Sequence, residues 1–331
     1  MILGMQRNVG ILFLMGAALG FAQSAGRVSK AAAELDQIVT PGARIEKLGG
    51  GFGFVEGPVW IHAGYLLFSD IPNNVIRKWT PDGKFSVFRE HSGFSGSGAP
   101  AGALIGSNGL TLDKQGRLVI CEHGNRRVEL LDMKTGKAVV LADKYEGKRL
   151  NSPNDAVVKS DGSIYFTDPP YGLPKEDADP QKELSFNGVY RLAHGKLQLL
   201  YKDLSRPNGI AFSPDEKYLY VGNSDASRKI WMRFEVKPDG SIADGKLFYD
   251  VTKEAADGLP DGMKVDSKGN LYCTGPGGVW IFSPAGKHLG TIQPPEIPAN
   301  CGFGDRDAKT LYITARTGLY RIRLNVAGVR L

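Results

Sequence analysis

Long hydrophobic runs, clustered positive charge and a serine-nucleophile motif are all lacking in this chain of 331 residues, and each absence excludes a class of protein. Beyond residue 25 no apolar stretch approaches membrane length, so we expect no stable membrane association of the mature protein. The net charge of +6 is spread over scattered Lys and Arg residues without the basic stripe that nucleic-acid binding needs, so no nucleic-acid partner is expected. No GxSxG sequence occurs, which argues against a serine nucleophile of the α/β-hydrolase type.

Cysteine is also scarce, and its odd count leaves at least one thiol unpaired in an oxidising compartment. The three residues are Cys121, Cys273 and Cys301. Cys121 and Cys273 fall at the same position of two strand-like segments, where a small buried apolar side chain fits. We therefore predict buried free thiols, and a disulfide that involves Cys301 is the alternative.

The apolar segment at the N-terminus has the organisation of a secretory signal. Arg7 precedes an apolar run over residues 9–21, and the small residues Ala22 and Ser24 suit cleavage after Ser24. We predict a signal peptide over residues 1–24 and export to a bacterial periplasm or beyond. An uncleaved membrane anchor is the alternative.

Strand patterns dominate the rest of the chain. Short apolar runs alternate with turn sequences such as KSDGS and KPDGS, and no long stretch has the 3.6-residue period of an amphipathic helix. A recurrence of about 40–50 residues built from short strands is typical of propeller blades. We predict an all-β fold, a six-bladed β-propeller with four-stranded antiparallel blades, over residues 45–331. Residues 25–44 are interpreted as a lead-in segment, with a helical turn or two over residues 31–38.

Two long segments interrupt the repeats, a glycine-rich one at residues 93–109 and a polar one at residues 169–188. Long loops in a compact fold are usually functional or mobile, and both segments are candidates for a lid over the channel. The last strand-like segment, at residues 318–324, has no blade partners of its own. The segment near Ile45 is therefore predicted to complete the final blade.

A carboxylate or carboxamide stands at the head of each of the six repeats, ten or eleven positions before an apolar run such as IYFTD or LYVGN. These residues are Glu56, Asn108, Asn154, Asn208, Asp261 and Asn300. Equivalent positions in radially arranged blades form a ring around the central channel. Because Ca²⁺ prefers oxygen ligands from carboxylates, amides and waters, the ring predicts a cation site. The alternative is that Asn-Gly and Asp-Gly pairs mark turns, which does not account for Glu56.

Four sequence stretches resemble the senescence marker protein/gluconolactonase family, which includes regucalcin-like proteins. They are EGPVW (56–60), SPND (152–155), RPNGIAFSPDEKYLYV (206–221) and PDGMKVDSKGNLY (260–272). The resemblance runs from about residue 45 to 324, and it is closest to exported bacterial members. It implies a six-bladed propeller with one divalent cation in the channel, most commonly Ca²⁺, with Zn²⁺, Mn²⁺ or Mg²⁺ as alternatives.

The same resemblance implies roles for individual residues. It makes Glu56, Asn208 and Asp261 metal ligands, and it makes Asn154 a metal ligand or a substrate contact. The family's animal members have an arginine two residues before the position of Asn154, whereas this chain has Ser152 there. Selectivity for a particular sugar lactone is therefore not readable from the sequence.

The expected reaction is hydrolysis of a small-molecule lactone such as gluconolactone, with water attacking a carbonyl polarised by the channel calcium. Asp261 is the candidate catalytic base. The candidate substrate-binding residues line the channel or a strand end: Asn108, His123, Asn154, Asp155 and Asn300. Two alternatives stay open, a phosphotriesterase-like hydrolase and a non-enzymatic ligand-binding propeller with a structural calcium.

Overall fold

A computed structural model describes residues 24–99 and 103–329. The predicted signal peptide therefore lies outside the described residues, except for Ser24. Within the described ranges the structure is built from antiparallel strands and two short 3-10 helices, Ala33–Gln37 and Glu176–Ala178. None of the helices described is long and apolar enough to cross a membrane.

The strands form six blades and one additional hairpin. Ahead of the first blade lie β1 (Arg27–Lys30) and β2 (Glu46–Gly50). Blade 1 contains β3 (Val55–Ile61), β4 (Tyr65–Asp70), β5 (Val75–Trp79) and β6 (Phe85–Glu90). Blade 2 contains β7 (Ser107–Leu112), β8 (Leu118–Glu122), β9 (Arg127–Leu131) and β10 (Ala138–Ala142), followed by the hairpin β11 (Lys144–Tyr145) and β12 (Lys148–Arg149).

The second half of the chain repeats this plan. Blade 3 contains β13 (Ala156–Val158), β14 (Ile164–Asp168), β15 (Gly188–Ala193) and β16 (Lys196–Tyr201). Blade 4 contains β17 (Pro207–Phe212), β18 (Tyr218–Asp225), β19 (Arg228–Val236) and β20 (Ile242–Asp250). Blade 5 contains β21 (Met263–Val265), β22 (Leu271–Gly275), β23 (Gly278–Phe282) and β24 (His288–Gln293), and blade 6 contains β25 (Pro298–Gly304), β26 (Thr310–Ala315) and β27 (Gly318–Arg323).

The blades close into a ring through their first strands. Strands β3, β7, β13, β17, β21 and β25 contact one another in sequence, and β25 contacts β3 again. Strand β2 pairs with β27, so the segment after Ile45 completes blade 6 as predicted. The all-β, six-bladed architecture is thus confirmed.

Blade 5 departs from the predicted four strands. Strand β1 pairs with β24 as a fifth strand, and the 3-10 helix Ala33–Gln37 follows it. Leu35 and Ile38 are buried against residues of blades 5 and 6. The lead-in segment therefore packs on the propeller, which the sequence pattern did not indicate because β1 is polar and mostly exposed.

The apolar core lies between neighbouring blades. Phe166 and Tyr190 of blade 3, for example, pack with Val119 and Cys121 of blade 2. Burying one such large side chain contributes roughly 1.5–3 kcal/mol to folding. All three cysteines are buried and unpaired, as the sequence predicted.

Candidate active site at the channel ring

The six predicted ring residues lie at equivalent places, in or just before the first strand of each blade. Because these strands contact one another in a closed cycle, the six residues surround the channel. Five of them are at most 5% exposed, whereas Asp261 is partly accessible. The structure therefore brings the whole predicted set together, with Asp261 as the member that solvent reaches.

The glycines that follow ring residues are required by close packing between blades. A Cβ atom on Gly57 would lie 2.2 Å from the carbonyl oxygen of Asn108, and one on Gly209 would lie 2.1 Å from that of Asp261. Both glycines lie within strands, not turns. The turn interpretation of the Asn-Gly pair at Asn208 is therefore wrong; the pair marks where one blade approaches the next.

Glu56 is held by two donors on one of its carboxylate oxygens. The side-chain amide of Asn300 donates to Glu56 Oε2 (2.9 Å), and so does the backbone amide of Gly57 (2.9 Å). Asn300 Oδ1 in turn accepts from the backbone amide of Cys301 (2.8 Å). Asn300 therefore orients Glu56, with both the nitrogen and the oxygen of its own amide engaged.

Asn108 is oriented by His123. The distance between Asn108 Nδ2 and His123 Nε2 is 3.2 Å, and His123 Nδ1 lies 3.2 Å from the carbonyl oxygen of Leu104. The carbonyl requires a proton on Nδ1, so Nε2 accepts from the amide of Asn108. Burial lowers the pKa of His123 to about 4, so the ring is neutral at physiological pH. This arrangement leaves Asn108 Oδ1 buried without a partner.

Asp155 and Asn208 also present oxygens without hydrogen-bond partners. Asp155 Oδ1 accepts from the backbone amide of Ala156 (2.9 Å), whereas Asp155 Oδ2 and Asn208 Oδ1 are buried and unpartnered. The neighbouring Asn154 is fixed through its backbone, which donates to the carbonyl of Thr167 (2.8 Å) and accepts from Gly109 (2.7 Å). Asp155 replaces the glycine of other repeats, and it adds a carboxylate to the ring.

The three carboxylates disfavour one another's charge. Burial raises the pKa values of Glu56, Asp155 and Asp261, and repulsion from the other two carboxylates raises that of Asp261 further. Lys264, whose Nζ donates to the carbonyl of Met263 (2.9 Å), partly opposes this effect at Glu56 and Asp155. Three carboxylates and one ammonium carry a net charge of −2, which a divalent cation would balance.

The donor set fits a hard cation. In residues 24–99 and 103–329 no group of three or more His, Cys, Asp or Glu side chains lies close enough to form a metal cluster by itself. The ring adds the side-chain amide oxygens of its Asn residues to the carboxylate oxygens. Carboxylate and carboxamide oxygens left without donors are the ligands that Ca²⁺ prefers. The structure therefore supports a calcium-type site by its chemistry.

A cavity of about 590 Å³ opens beside Asp261. Asp261 and Ser224 line it, together with loop residues of blades 1, 5 and 6 such as Phe54, Asp257 and Arg316. This cavity reaches the ring at its partly accessible carboxylate. It offers room for a small-molecule substrate next to the candidate base.

Tyr171, in the segment at residues 169–188, is one further residue that lies near the channel ring. Its hydroxyl is buried without a partner and lies beside Ser224 and Asn208, and burial and the charge of Asp261 raise its pKa. Ser152 accepts from the backbone amide of Gly172 (2.8 Å) and so holds this segment. Sequence reasoning missed Tyr171, although it is the one tyrosine in a polar insertion, which was a usable signal.

A second set of polar side chains, at the ends of the second strands, has structural partners. Asp70 accepts from the backbone amide of Gly53 (3.0 Å) and pairs with Arg77 (2.8 Å). Asp168 accepts from the backbone amides of Asn151 and Ser152 (2.8 Å each). Two more members, Glu122 and Asn223, accept from Arg127 (2.8 Å) and from the amide of Arg206 (2.9 Å). These residues fasten loops and blade edges.

Comparison with known proteins agrees with the family resemblance of the sequence. A family model described as SMP-30/Gluconolactonase/LRE-like region matches residues 54–317. The gluconolactonase of Zymomonas mobilis is 42% identical over 314 residues, which cover 92% of this chain and 87% of that protein. A solved gluconolactonase structure from Xanthomonas campestris has a TM-score of 0.77 and 34% identity, and the match covers 92% of this chain and 99% of that one. The structure of a calcium-binding protein, regucalcin, from Agrobacterium tumefaciens covers 87% of this chain and 97% of that one at a TM-score of 0.68, and its 20% identity supports the fold alone.

Proposed function

Because the chain belongs to the SMP-30/gluconolactonase/LRE-like family, we propose that it is a metal-dependent lactonase that opens a sugar lactone such as gluconolactone. Lactonase activity is supported by the 42% identity to a gluconolactonase over most of both chains. The metal dependence rests on one observation. Three buried oxygens of the channel ring, Asn108 Oδ1, Asp155 Oδ2 and Asn208 Oδ1, have no hydrogen-bond donor.

Calcium is the cation that these oxygens suit best. Glu56, Asn154, Asn208 and Asp261 are the proposed ligands, and Zn²⁺, Mn²⁺ or Mg²⁺ are alternatives that metal analysis would separate. When bound, the ion supplies Lewis-acid polarisation of a carbonyl and stabilises the negative charge that develops on the carbonyl oxygen. Asp155 contributes a third negative charge to the site.

The protein's own groups carry the proton transfers. A water molecule attacks the lactone carbonyl carbon, and the Asp261 carboxylate accepts its proton as the new C–O bond forms. The bond between the carbonyl carbon and the ring oxygen then breaks, and the proton returns from Asp261 to the departing oxygen. Asp261 suits this role because it alone among the ring residues is partly accessible, at the wall of the cavity.

The remaining predicted site residues are proposed to position these groups or to contact the substrate. His123 is neutral and bonded on both nitrogens, so it orients Asn108 and does not shuttle protons. Asn300 orients Glu56 through its amide. Asn108 and Asp155 each have a buried oxygen without a donor, and Asn154 precedes Asp155, so these three residues are proposed to contact either a cation or a bound lactone.

A pH-stat assay against gluconolactone tests the proposal. The protein is stripped of metal with a chelator and assayed before and after addition of calcium, with the uncatalysed rate subtracted. We expect hydrolysis only in the metal-loaded protein. If the loaded protein opens no lactone, and Glu56→Gln and Asp261→Asn alter only its melting temperature, the cation is structural and the enzyme proposal is wrong.

Export is a separate proposal, supported by the signal-like organisation of residues 1–24. Mass spectrometry of the protein from periplasmic extracts tests it. A mature chain that begins at Ala25 is the expected result, and a full-length chain retained in the cytoplasm would contradict it.

A further inference from the structure

Tyr171 is a half-buried side chain whose hydroxyl is buried near the channel ring, and the proposed chemistry gives it no role. In the described part of the chain this hydroxyl oxygen is buried and forms no hydrogen bond of good geometry, although the side chains of Ser224 and Asn208 lie beside it. Leaving a buried polar group unpaired costs about 1–3 kcal/mol, and such groups are rare in native proteins unless they serve a function. A bound molecule that supplies an acceptor would remove this cost.

The position of the hydroxyl limits what that molecule can be. It lies against Ser224 and Asn208 and within electrostatic reach of Asp261. Ser224 and Asp261 both line the cavity of about 590 Å³. The hydroxyl of Tyr171 therefore lies next to one residue of the ring and one residue of the cavity wall, near the proposed base.

The segment that carries Tyr171 is fastened by contacts that follow this residue in the chain. Gly172 donates its backbone amide to Ser152 Oγ (2.8 Å), and Arg206 forms ion pairs with Glu176 (2.8 Å) and with Asp177. The hydroxyl is thus held in place before any ligand arrives. Such preorganisation lowers the entropic cost of binding.

The reacting carbonyl of a lactone has to lie against the open oxygens of the ring, so the rest of the molecule extends into the cavity past Ser224. A protonated phenol next to a serine hydroxyl matches the hydroxyl groups of a polyhydroxylated ring. We propose that Tyr171 is a specificity-determining residue whose hydroxyl, with Ser224 beside it, donates a hydrogen bond to a substrate hydroxyl and thereby selects hydroxylated lactones. This inference rests on the proposed lactonase function.

A site built to bond a substrate hydroxyl rejects an analogue without it, because its own polar group is then left unpaired. Tyr171→Phe removes only the donor. In the calcium-loaded protein we expect kcat/KM for gluconolactone to fall roughly 10–100-fold. The kcat/KM for δ-valerolactone, which has the same ring without hydroxyl groups, should change by less than about two-fold because no bond is lost.

Tyr190→Phe is the matched control. Tyr190 also has a buried hydroxyl without a partner, but it packs against Phe166 and Tyr145 between blades 2 and 3. Its removal should leave kcat/KM unchanged for both lactones. Ser224→Ala is the second test variant, and it should show the same selective loss with a smaller size.

The kinetic results for the two lactones distinguish a specificity role of Tyr171 from other roles. An equal loss on both lactones would place Tyr171 at the reacting atoms and overturn the specificity role, and no loss on either lactone would overturn it as well. Calcium affinity, measured by calorimetry, should be the same in Tyr171→Phe and the wild type, and a change would assign the hydroxyl to the metal site instead. If the wild type hydrolyses neither lactone, the proposed function itself fails and this inference falls with it.

Discussion

The channel ring and the strand ends carry the same kinds of buried side chain, yet their surroundings differ. At the strand ends, Asp70 and Asp168 have both carboxylate oxygens occupied by backbone amides or nearby side chains. In the ring, Asp155 Oδ1 accepts from a neighbouring backbone amide and Asp155 Oδ2 is buried without a donor, whereas the bonds from Gly57 and Asn300 to Glu56 both fall on Oε2. Burial and recurrence from blade to blade do not by themselves distinguish the two sets, since polar side chains recur at four strand ends as well as at the six ring positions. The two sets differ in that the ring contains oxygens without a hydrogen-bond donor.

The strongest test of this contrast is Asp261→Asn. Loss of a positioned base typically lowers the rate by about 10²–10⁴-fold, so we expect kcat for gluconolactone to fall within that range. The amide keeps one oxygen for the cation and the same shape, so the fold should persist. Steady-state kinetics with circular dichroism check both points, and a variant with wild-type kcat would show that another group accepts the proton.

Gly209→Ala alters the ring without removing an oxygen. The added Cβ would lie 2.1 Å from the Asp261 carbonyl, so blades 4 and 5 have to separate locally. Overpacking of this kind costs about 1–3 kcal/mol. We expect a lower melting temperature together with weaker calcium binding, whereas a variant that loses stability but binds calcium normally would mean that Asp261 can shift freely.

Asp168→Asn probes the strand-end set. The Asn side chain can accept only one of the bonds from Asn151 and Ser152, so a backbone donor is left facing an NH₂ group. Denaturant unfolding should show a loss of roughly 1–3 kcal/mol. Calcium affinity should not change. A fall in calcium affinity without loss of stability would reverse the roles assigned to the two sets.

The pH dependence of stability separates the two sets in a different way. Burial raises the pKa of Glu56 from 4.5 to about 7 in the metal-free fold, so its stabilising contribution is complete below pH 4.5 and is lost as the pH rises through 7. Burial also raises the pKa of Asp168, and that effect does not depend on calcium. The gap in melting temperature between calcium-loaded and chelated protein should therefore widen from pH 5 to pH 8. A constant gap would place calcium away from the ring carboxylates.

Much of the architecture was predictable because each repeat combines a ring residue, a turn and an apolar strand at constant spacing. Closure by the strand after Ile45 followed from the unpaired last segment, and β2 pairs with β27 as expected. Strand β1 was missed, since its polar residues carry no strand periodicity and it pairs only as a fifth, outer strand.

The site was less completely predictable for a physical reason. Residue type and register identified Glu56 and Asp261, but which oxygen stays open depends on partners from other blades. Asn300 bonds Glu56 across 244 positions of the chain, and His123 turns the amide of Asn108. The approach of Tyr171 to the ring likewise depends on how its loop is fastened by Ser152.

Direct calcium binding tests the central claim most simply. Chelator-stripped protein is titrated with Ca²⁺ by isothermal calorimetry for the wild type, Glu56→Gln and Asp168→Asn. If the channel ring binds the cation, we expect one Ca²⁺ ion per chain in the wild type. The affinity for Ca²⁺ should be the same in Asp168→Asn and much lower in Glu56→Gln. No binding to the wild type, or equal affinity in all three proteins, would contradict the assignment of the ring as a cation site.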